Sequence, residues 1–270
     1  MMNRKNIIAG LSALLVSLTT VSATDYKEIL RLQQRGMYNR ASVLYLESSK
    51  DAMSSEPVGY SILCDVIMNV GSYQSRMAEY IASNPHSVLV PQMRFRHALN
   101  LFDAQDYVSA SEVFAQIPAS HMPDSQLDEY LFKKAYCELE NGDQDRALLL
   151  FAEIEARPLS DYTAPARYSI AYINYNRGNC SEALEWFEKS LTDPRFTEIS
   201  TYYIMECRFQ LKDYKYVAKN GEEVYHKVLD ERKPFLARLI SESYLVLGDA
   251  EMARKYYELS VNADDNNNKR

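Results

Sequence analysis

NRGNCSEALEWFEKSLTDP, residues 176–194, sets Gly178 five residues before Ala183 and Ala183 four residues before Phe187. The segment reads as a helix. Ser181 suits a helix start, and Glu182 to Leu191 are mostly good helix formers. Leu184, Phe187 and Leu191 recur at three- and four-residue steps, which puts them on one face, and Pro194 stops the run. An amphipathic helix alone says little about a protein, so the question is whether this spacing returns.

It returns along the whole chain. The position of Ala183 is echoed by Ala41, Ala110, Ala147 and Ala253, with Arg76 and Val217 filling the two gaps, at steps of 35, 34, 37, 36, 34 and 36 residues. Five residues before these anchors stand Gly36, Gly71, Gln105, Gly142, Gly178, Lys212 and Gly248. Four residues after them stand Tyr45, Tyr80, Phe114, Phe151, Phe187, Gly221 and Tyr257. Each unit therefore reads helix, tight turn, helix. Glycine supplies the left-handed turn cheaply, the small anchor lets two helices approach, and the aromatic fills the space between them. Twelve residues before the anchor the first helix carries its own mostly small residue: Cys64, Ala98, Ala135, Ala171 and Ser241. Pro57, Pro91 and Pro234 open units, where a missing N–H costs nothing. A period near 34 built this way is the mark of a solenoid.

The pattern resembles the tetratricopeptide repeat (TPR) family over essentially all of the chain beyond its first residues. YSIAYINYNRGNCSEALEWFEKSLTDP is the clearest copy, followed by LFKKAYCELENGDQDRALLLF and SYLVLGDAEMARKYYELS. The resemblance implies an all-α, right-handed solenoid of about seven helix pairs, from about Asp25 to about Val261. Units 2 and 6 depart from it, through Arg76 in one and Lys212, Val217 and Gly221 in the other, and are expected to be less regular. The order of units also resembles the N-terminal part of long periplasmic TPR proteins of Bacteroidota. YIASNPHSVLVPQMRF is similar to linkers in envelope-assembly proteins of the outer-membrane lipoprotein and Tol-Pal-associated groups. Both resemblances imply a role in the cell envelope.

Composition agrees with a folded chain: of 270 residues 47% are hydrophobic and 25% charged. The net charge of −7 argues against a nucleic-acid partner, which calls for a basic face. MMNRKN is basic, IIAGLSALLVSLTTV is apolar but short for a membrane span, and VSA has the small-x-small form of a cleavage site. Residues 1–23 thus read as a signal peptide, with an uncleaved anchor as the alternative; after cleavage no membrane insertion is expected. Secretion across the inner membrane would place the mature chain in the periplasm. Asp25 and Glu28 are spaced for a capping box just after the cut. Residues 24–262 form the solenoid and 263–270 a polar tail. Cys64, Cys137, Cys180 and Cys207 lack metal-ligand spacing and read as buried thiols, with a disulfide framework as the alternative in an oxidising compartment.

Catalytic signatures are missing from the chain. It holds no H-E-x-x-H, G-x-S-x-G, Walker loop or Rossmann glycine run, and His86, His97, His121 and His226 are scattered over different units. The expectation is a protein without enzymatic activity, cofactor or metal.

Function then belongs to the concave groove lined by first helices. The family's geometry implies Phe95, Leu99 and Phe102 in unit 3, and Phe132, Tyr136 and Leu139 in unit 4, as groove residues. Unit 5 adds Tyr168, Tyr172 and Tyr175, and unit 6 adds Tyr202, Glu206 and Phe209. Much of the excess of 21 Tyr over one Trp falls here. Tyrosine joins apolar area to a polar tip and suits a protein or peptide partner; the same rings, at helical spacing, also suit a core. Where family members grip a terminal carboxylate with Lys, Asn and Arg, these places are aromatic or apolar. The expected function is an interaction scaffold, the alternative a fixed structural subunit of an envelope complex. At the last unit Met252, Ala253, Tyr256, Tyr257 and Leu259 precede the polar NADDNNNKR. An apolar end face is therefore expected, covered by a second copy, a partner or further chain.

Overall fold

A computed structural model describes residues 23–49 and 55–267. The signal-peptide segment lies outside the described residues, except for Ala23. Among the described residues there are fourteen α-helices and no strand, and no helix is long and apolar enough to cross a membrane. In chain order they are α1 (Ala23–Gln34), α2 (Tyr38–Ser49), α3 (Glu56–Met68), α4 (Tyr73–Ser83), α5 (Leu89–Asp103), α6 (Tyr107–Ala115) and α7 (Asp124–Glu140). They continue with α8 (Gln144–Glu155), α9 (Thr163–Asn176), α10 (Cys180–Ser190), α11 (Pro194–Gln210), α12 (Tyr214–Lys227), α13 (Lys233–Leu247) and α14 (Ala250–Asn267). Two single 3₁₀ turns, Ala119–His121 and Asp230–Arg232, precede α7 and α13.

The repeat is a backbone device first. All seven turn positions have positive φ, from 61° at Gln105 to 88° at Gly142, with Lys212 at 62°. In six turns this left-handed residue closes the first helix by paired backbone bonds. At Gly142, for example, its own N–H reaches Leu139 O at 3.0 Å and the next N–H, of Asp143, reaches Glu138 O at 2.8 Å. The residue after the turn then often starts the second helix. The carboxylates of Asp106, Asp143, Asp213 and Asp249 accept the N–H of Ser109, Arg146, Tyr216 and Met252 at 3.0–3.2 Å. An aspartate directly after the turn is thus a further mark of four of the repeats.

The second unit breaks the rule in a defined way. There α3 closes at Asn69, itself left-handed at φ 52°, and Gly71 adds a second left-handed residue in a four-residue connection. One extra residue turns the following helix by about 100°. The buried anchor of α4 is accordingly Met77, while Arg76 points outward and pairs with Asp65. In the sixth unit the irregularity anticipated at Gly221 has a partner: a Cβ there would sit 2.6 Å from Ile240 Cγ1, so α13 fills the room an aromatic occupies elsewhere.

Four local expectations need correction. α10 starts at Cys180, with Asn179 rather than Ser181 in the capping position. Pro194 stands past the end of α10 at Ser190 and opens α11, where the Asp193 carboxylate accepts the Arg195 N–H at 2.9 Å. Likewise α1 begins at Ala23, which leaves Asp25 inside its first turn and not at a cap. The last helix runs to Asn267, into the stretch read as a polar tail.

The chain divides into two compact units, one ending at Ala147 and one beginning at Leu148. In the first, α3 packs on α5 and α5 on α7, while α2, α4 and α6 form the other layer. Its core holds Tyr45 stacked on Tyr60 at 5.1 Å, and Phe95, Phe114 and Tyr130 within 5.8–6.3 Å of one another. In the second, α9, α11 and α13 pack in sequence with α10, α12 and α14 behind them. The anchors Ala41, Ala110, Ala147, Ala183, Val217 and Ala253 are all buried.

Candidate functional site

Helical spacing sends α5 residues 95, 99 and 102 to one side, but the helix is shielded unevenly along that side. Phe95 is 0% exposed, inside the Phe114–Tyr130 cluster, and Leu99 is buried as well. Both are core, which corrects their assignment to the groove: the neighbouring α6 and α7 close over the middle of α5 and leave only its last turn open. There Phe102 is half-buried, 5.4 Å from the ring of Tyr107 and 5.5 Å from that of Tyr136, both edge-on. Phe132 lies beside Tyr136 at 6.4 Å, and Leu139 is half-buried. Lys133 places Nζ 3.8 Å over the Phe102 ring, and burial holds its pKa below the usual lysine range. The Tyr136 phenol is pushed up to about 12, first by burial and then by its hydrogen bond to the Glu140 carboxylate.

The second unit carries a denser cluster. Tyr168 and Tyr172, one turn apart on α9, lie nearly parallel at 6.2 Å. Tyr203 on α11 is the hub, with ring distances of 5.7 Å to Tyr172, 4.9 Å to Tyr175, 5.4 Å to Tyr202 and 5.1 Å to Phe187, on which it stacks. Tyr203 was missed because the seven-residue stepping selects Tyr202 and skips its neighbour. Glu206, one turn on, is the only acidic member. Its carboxylate accepts the Tyr202 hydroxyl at 2.6 Å on one oxygen and the Tyr175 hydroxyl on the other. Burial, and then these bonds to Glu206, push the Tyr175 and Tyr202 phenols well above the usual tyrosine range, so both stay neutral donors. Tyr202 is buried, Tyr168 packs on Phe187 and Phe196 and has its phenol raised chiefly by burial, and Phe209 lies edge-on to Tyr214 at 5.5 Å.

These side chains border an open cavity of about 300 Å³, walled by Tyr172, Tyr175 and Asn176 from α9, Tyr202, Tyr203 and Glu206 from α11, and Phe235 from α13. Phe235, 63% exposed, was not anticipated, since it precedes the stretch of α13 that carries the repeat signature. A larger cavity of about 680 Å³ lies in the first unit between the α4–α5 and α6–α7 connections, with His86, Arg94 and His121 on its walls and none of the expected groove residues.

At the last helix the expected end face divides. Tyr256 is core, stacked 6.0 Å from Tyr244 and edge-on to Tyr225, while Tyr257 is 61% exposed and Met252 half-buried. The repeat spacing pointed to Tyr257 as the ring between helices; α14 turns Tyr256 inward in its place. All four cysteines are free and buried; the thiols of Cys64, Cys137 and Cys207 are each pushed up to about 12, chiefly by burial. Among the described residues no three His, Cys, Asp or Glu side chains come together as metal ligands.

No protein-family profile matches the chain, and no curated protein does. Solved structures do. The apo form of RapI superposes with a TM-score of 0.56 at 16% identity, over 90% of this chain and 76% of that one. A Rap protein complexed with competence and sporulation factor gives 0.44 at 14% identity, over 89% and 76% of the two chains. The apo form of the quorum sensor NprR from B. thuringiensis gives 0.45 at 13% identity, over 88% and 77%. At 16% identity the RapI superposition shows likeness of fold alone. Together with the helix pairs and their turns, the RapI superposition makes this chain an all-α solenoid of TPR-like repeats.

Proposed function

We propose that the protein is a scaffold that binds a protein or peptide through the tyrosine-lined face of α9, α11 and the start of α13. One observation carries this reading: Tyr172, Tyr175, Tyr203 and exposed Phe235 gather around a carboxylate at an open cavity. Half-buried rings with polar tips are the composition of contact surfaces more than of interiors. The test begins with peptides selected from a random library on the full chain. Titration of the best binder against the Tyr172→Ala, Phe235→Ala double variant should show affinity falling at least about tenfold, or about 1.4 kcal/mol. Selection that yields no binder, or binders indifferent to both substitutions, rejects the reading and leaves a fixed structural subunit.

The signal-like residues 1–23 and the resemblance of the linker and repeat order to envelope proteins support a periplasmic site of action in envelope assembly. Amino-terminal sequencing of the protein from fractionated cells should find a new end near Thr24 in the periplasmic fraction. An intact Met1 in the cytoplasm would rule this out.

A further inference from the structure

The geometry points to a lysine-specific pocket: the cavity between α9, α11 and Phe235 receives the side chain of one lysine of the bound peptide, its ammonium on Glu206 and its stem on the rings. This rests on the reading of that face as a peptide-contact surface.

The charge at the site is unmatched. No cationic side chain among the described residues pairs with Glu206. Arg232 is held by both oxygens of Glu198, at 3.0 and 3.1 Å, and Arg208 by Glu188 and Asp213, at 3.1 and 3.3 Å. Arg232 does lie over one face of Tyr202, 5.8 Å from the ring centre, so that face is taken. The phenols bonded to Glu206 remain protonated, so they do not cancel its charge but orient it.

Three features select the occupant. A carboxylate has about four acceptor positions, and two phenols take one on each oxygen, which leaves acceptors for a further donor. A guanidinium prefers two parallel bonds to both oxygens, an approach the two phenols already obstruct; a compact ammonium with rotatable donors uses single positions. A quaternary ammonium has no N–H with which to use them at all. The walls, four tyrosines and Phe235, suit the apolar stem of lysine and add the attraction of aromatic faces for its charge. The volume, about 300 Å³, is at the small end of ligand pockets and suits one long side chain.

The experiment uses the full chain with isotope-labelled tyrosine rings, followed by NMR. N-acetyl-lysine amide is expected to shift the ring signals of the cavity tyrosines saturably, with a dissociation constant on the order of 1 mM. The norleucine analogue, which keeps the stem and lacks the charge, is expected to shift none of them. The arginine analogue and tetramethylammonium are expected to bind several-fold more weakly. Glu206→Gln should weaken lysine binding at least about tenfold; Phe235→Ala, at an exposed position safe for folding, should weaken it several-fold. Equal binding of lysine and norleucine analogues, tighter binding of arginine, or full retention in folded Glu206→Gln each overturns the pocket. Should Glu206→Gln fail to fold, the analogue comparison and Phe235→Ala decide. A library-selected peptide that needs Tyr172 and Phe235 but tolerates norleucine at every lysine overturns the pocket while the scaffold reading stands. Lysine-amide binding without any peptide binder does the reverse.

Discussion

Gly142 and Gly221 show that two glycines of one chain are kept for different physical reasons. A Cβ at Gly142 meets nothing within 4 Å, but its φ of 88° is strained for any L side chain. At Gly221 the backbone is helical, but a Cβ there would lie 2.6 Å from the side chain of Ile240, which is fully buried. Gly142→Ala should therefore destabilise by on the order of 1 kcal/mol through backbone strain alone. Gly221→Ala gains about 1 kcal/mol of helix propensity and loses more to overpacking, a net cost on the order of 1 kcal/mol. Lys212→Gly, relieving a side chain at φ 62°, should stabilise by about 0.5 kcal/mol. Urea unfolding of the three variants checks the signs; a stabilised Gly221→Ala would mean that Ile240 does not press on it.

Between α9 and α11 the relevant chemistry is phenolic. Tyr175 and Tyr202 are ionised less readily in the folded chain than the ordinary value of 10.0, because burial and then the Glu206 carboxylate oppose a second negative charge. Folded pKa values above the unfolded ones mean that the native state holds these protons longer. The contribution to stability is complete below the unfolded value and is lost as pH rises from there through the folded values. Thermal melts should be flat up to about pH 9 and fall steeply above about pH 10. The Tyr175→Phe, Tyr202→Phe double variant should fall less steeply, having removed two of the protons at stake. A native melting temperature unchanged between about pH 9 and 11 would contradict this account.

For the molecule as an assembly partner, α14 is the informative element. Tyr256 turns inward onto Tyr244, while Tyr257, and Val261 one turn on, face solvent. Exposed apolar side chains on one face of a helix can associate with a second copy. Light scattering over a dilution series should show mass rising with concentration, and Tyr257→Glu should hold the chain monomeric. Identical behaviour of the two, monomeric at high concentration, excludes self-association through this strip.

The helix pairs were legible in the linear chain because their determinants are local. A left-handed turn demands a glycine or a tolerant residue at a set place, and a close helix contact demands a small one, so Gly36, Gly178 and Ala183 announce themselves wherever they stand. Even the breaks at Arg76 and Gly221 were visible as breaks. The division of aromatics between core and surface was not legible in this way. Phe95 and Phe102 share a helix face and a residue type, yet one is enclosed by α6 and α7 and the other is half open. Likewise Tyr256 and Tyr257 are neighbours with opposite fates. Which ring is covered depends on how a helix is rotated against the next pair and where that pair ends. The same holds for the meeting of Tyr175, Tyr202 and Phe235 around Glu206, residues up to 60 positions apart that only packing of three first helices brings to one cavity. Periodicity is a property of the backbone and its immediate neighbours; enclosure is a property of the packed helices, and packing alone decided the site.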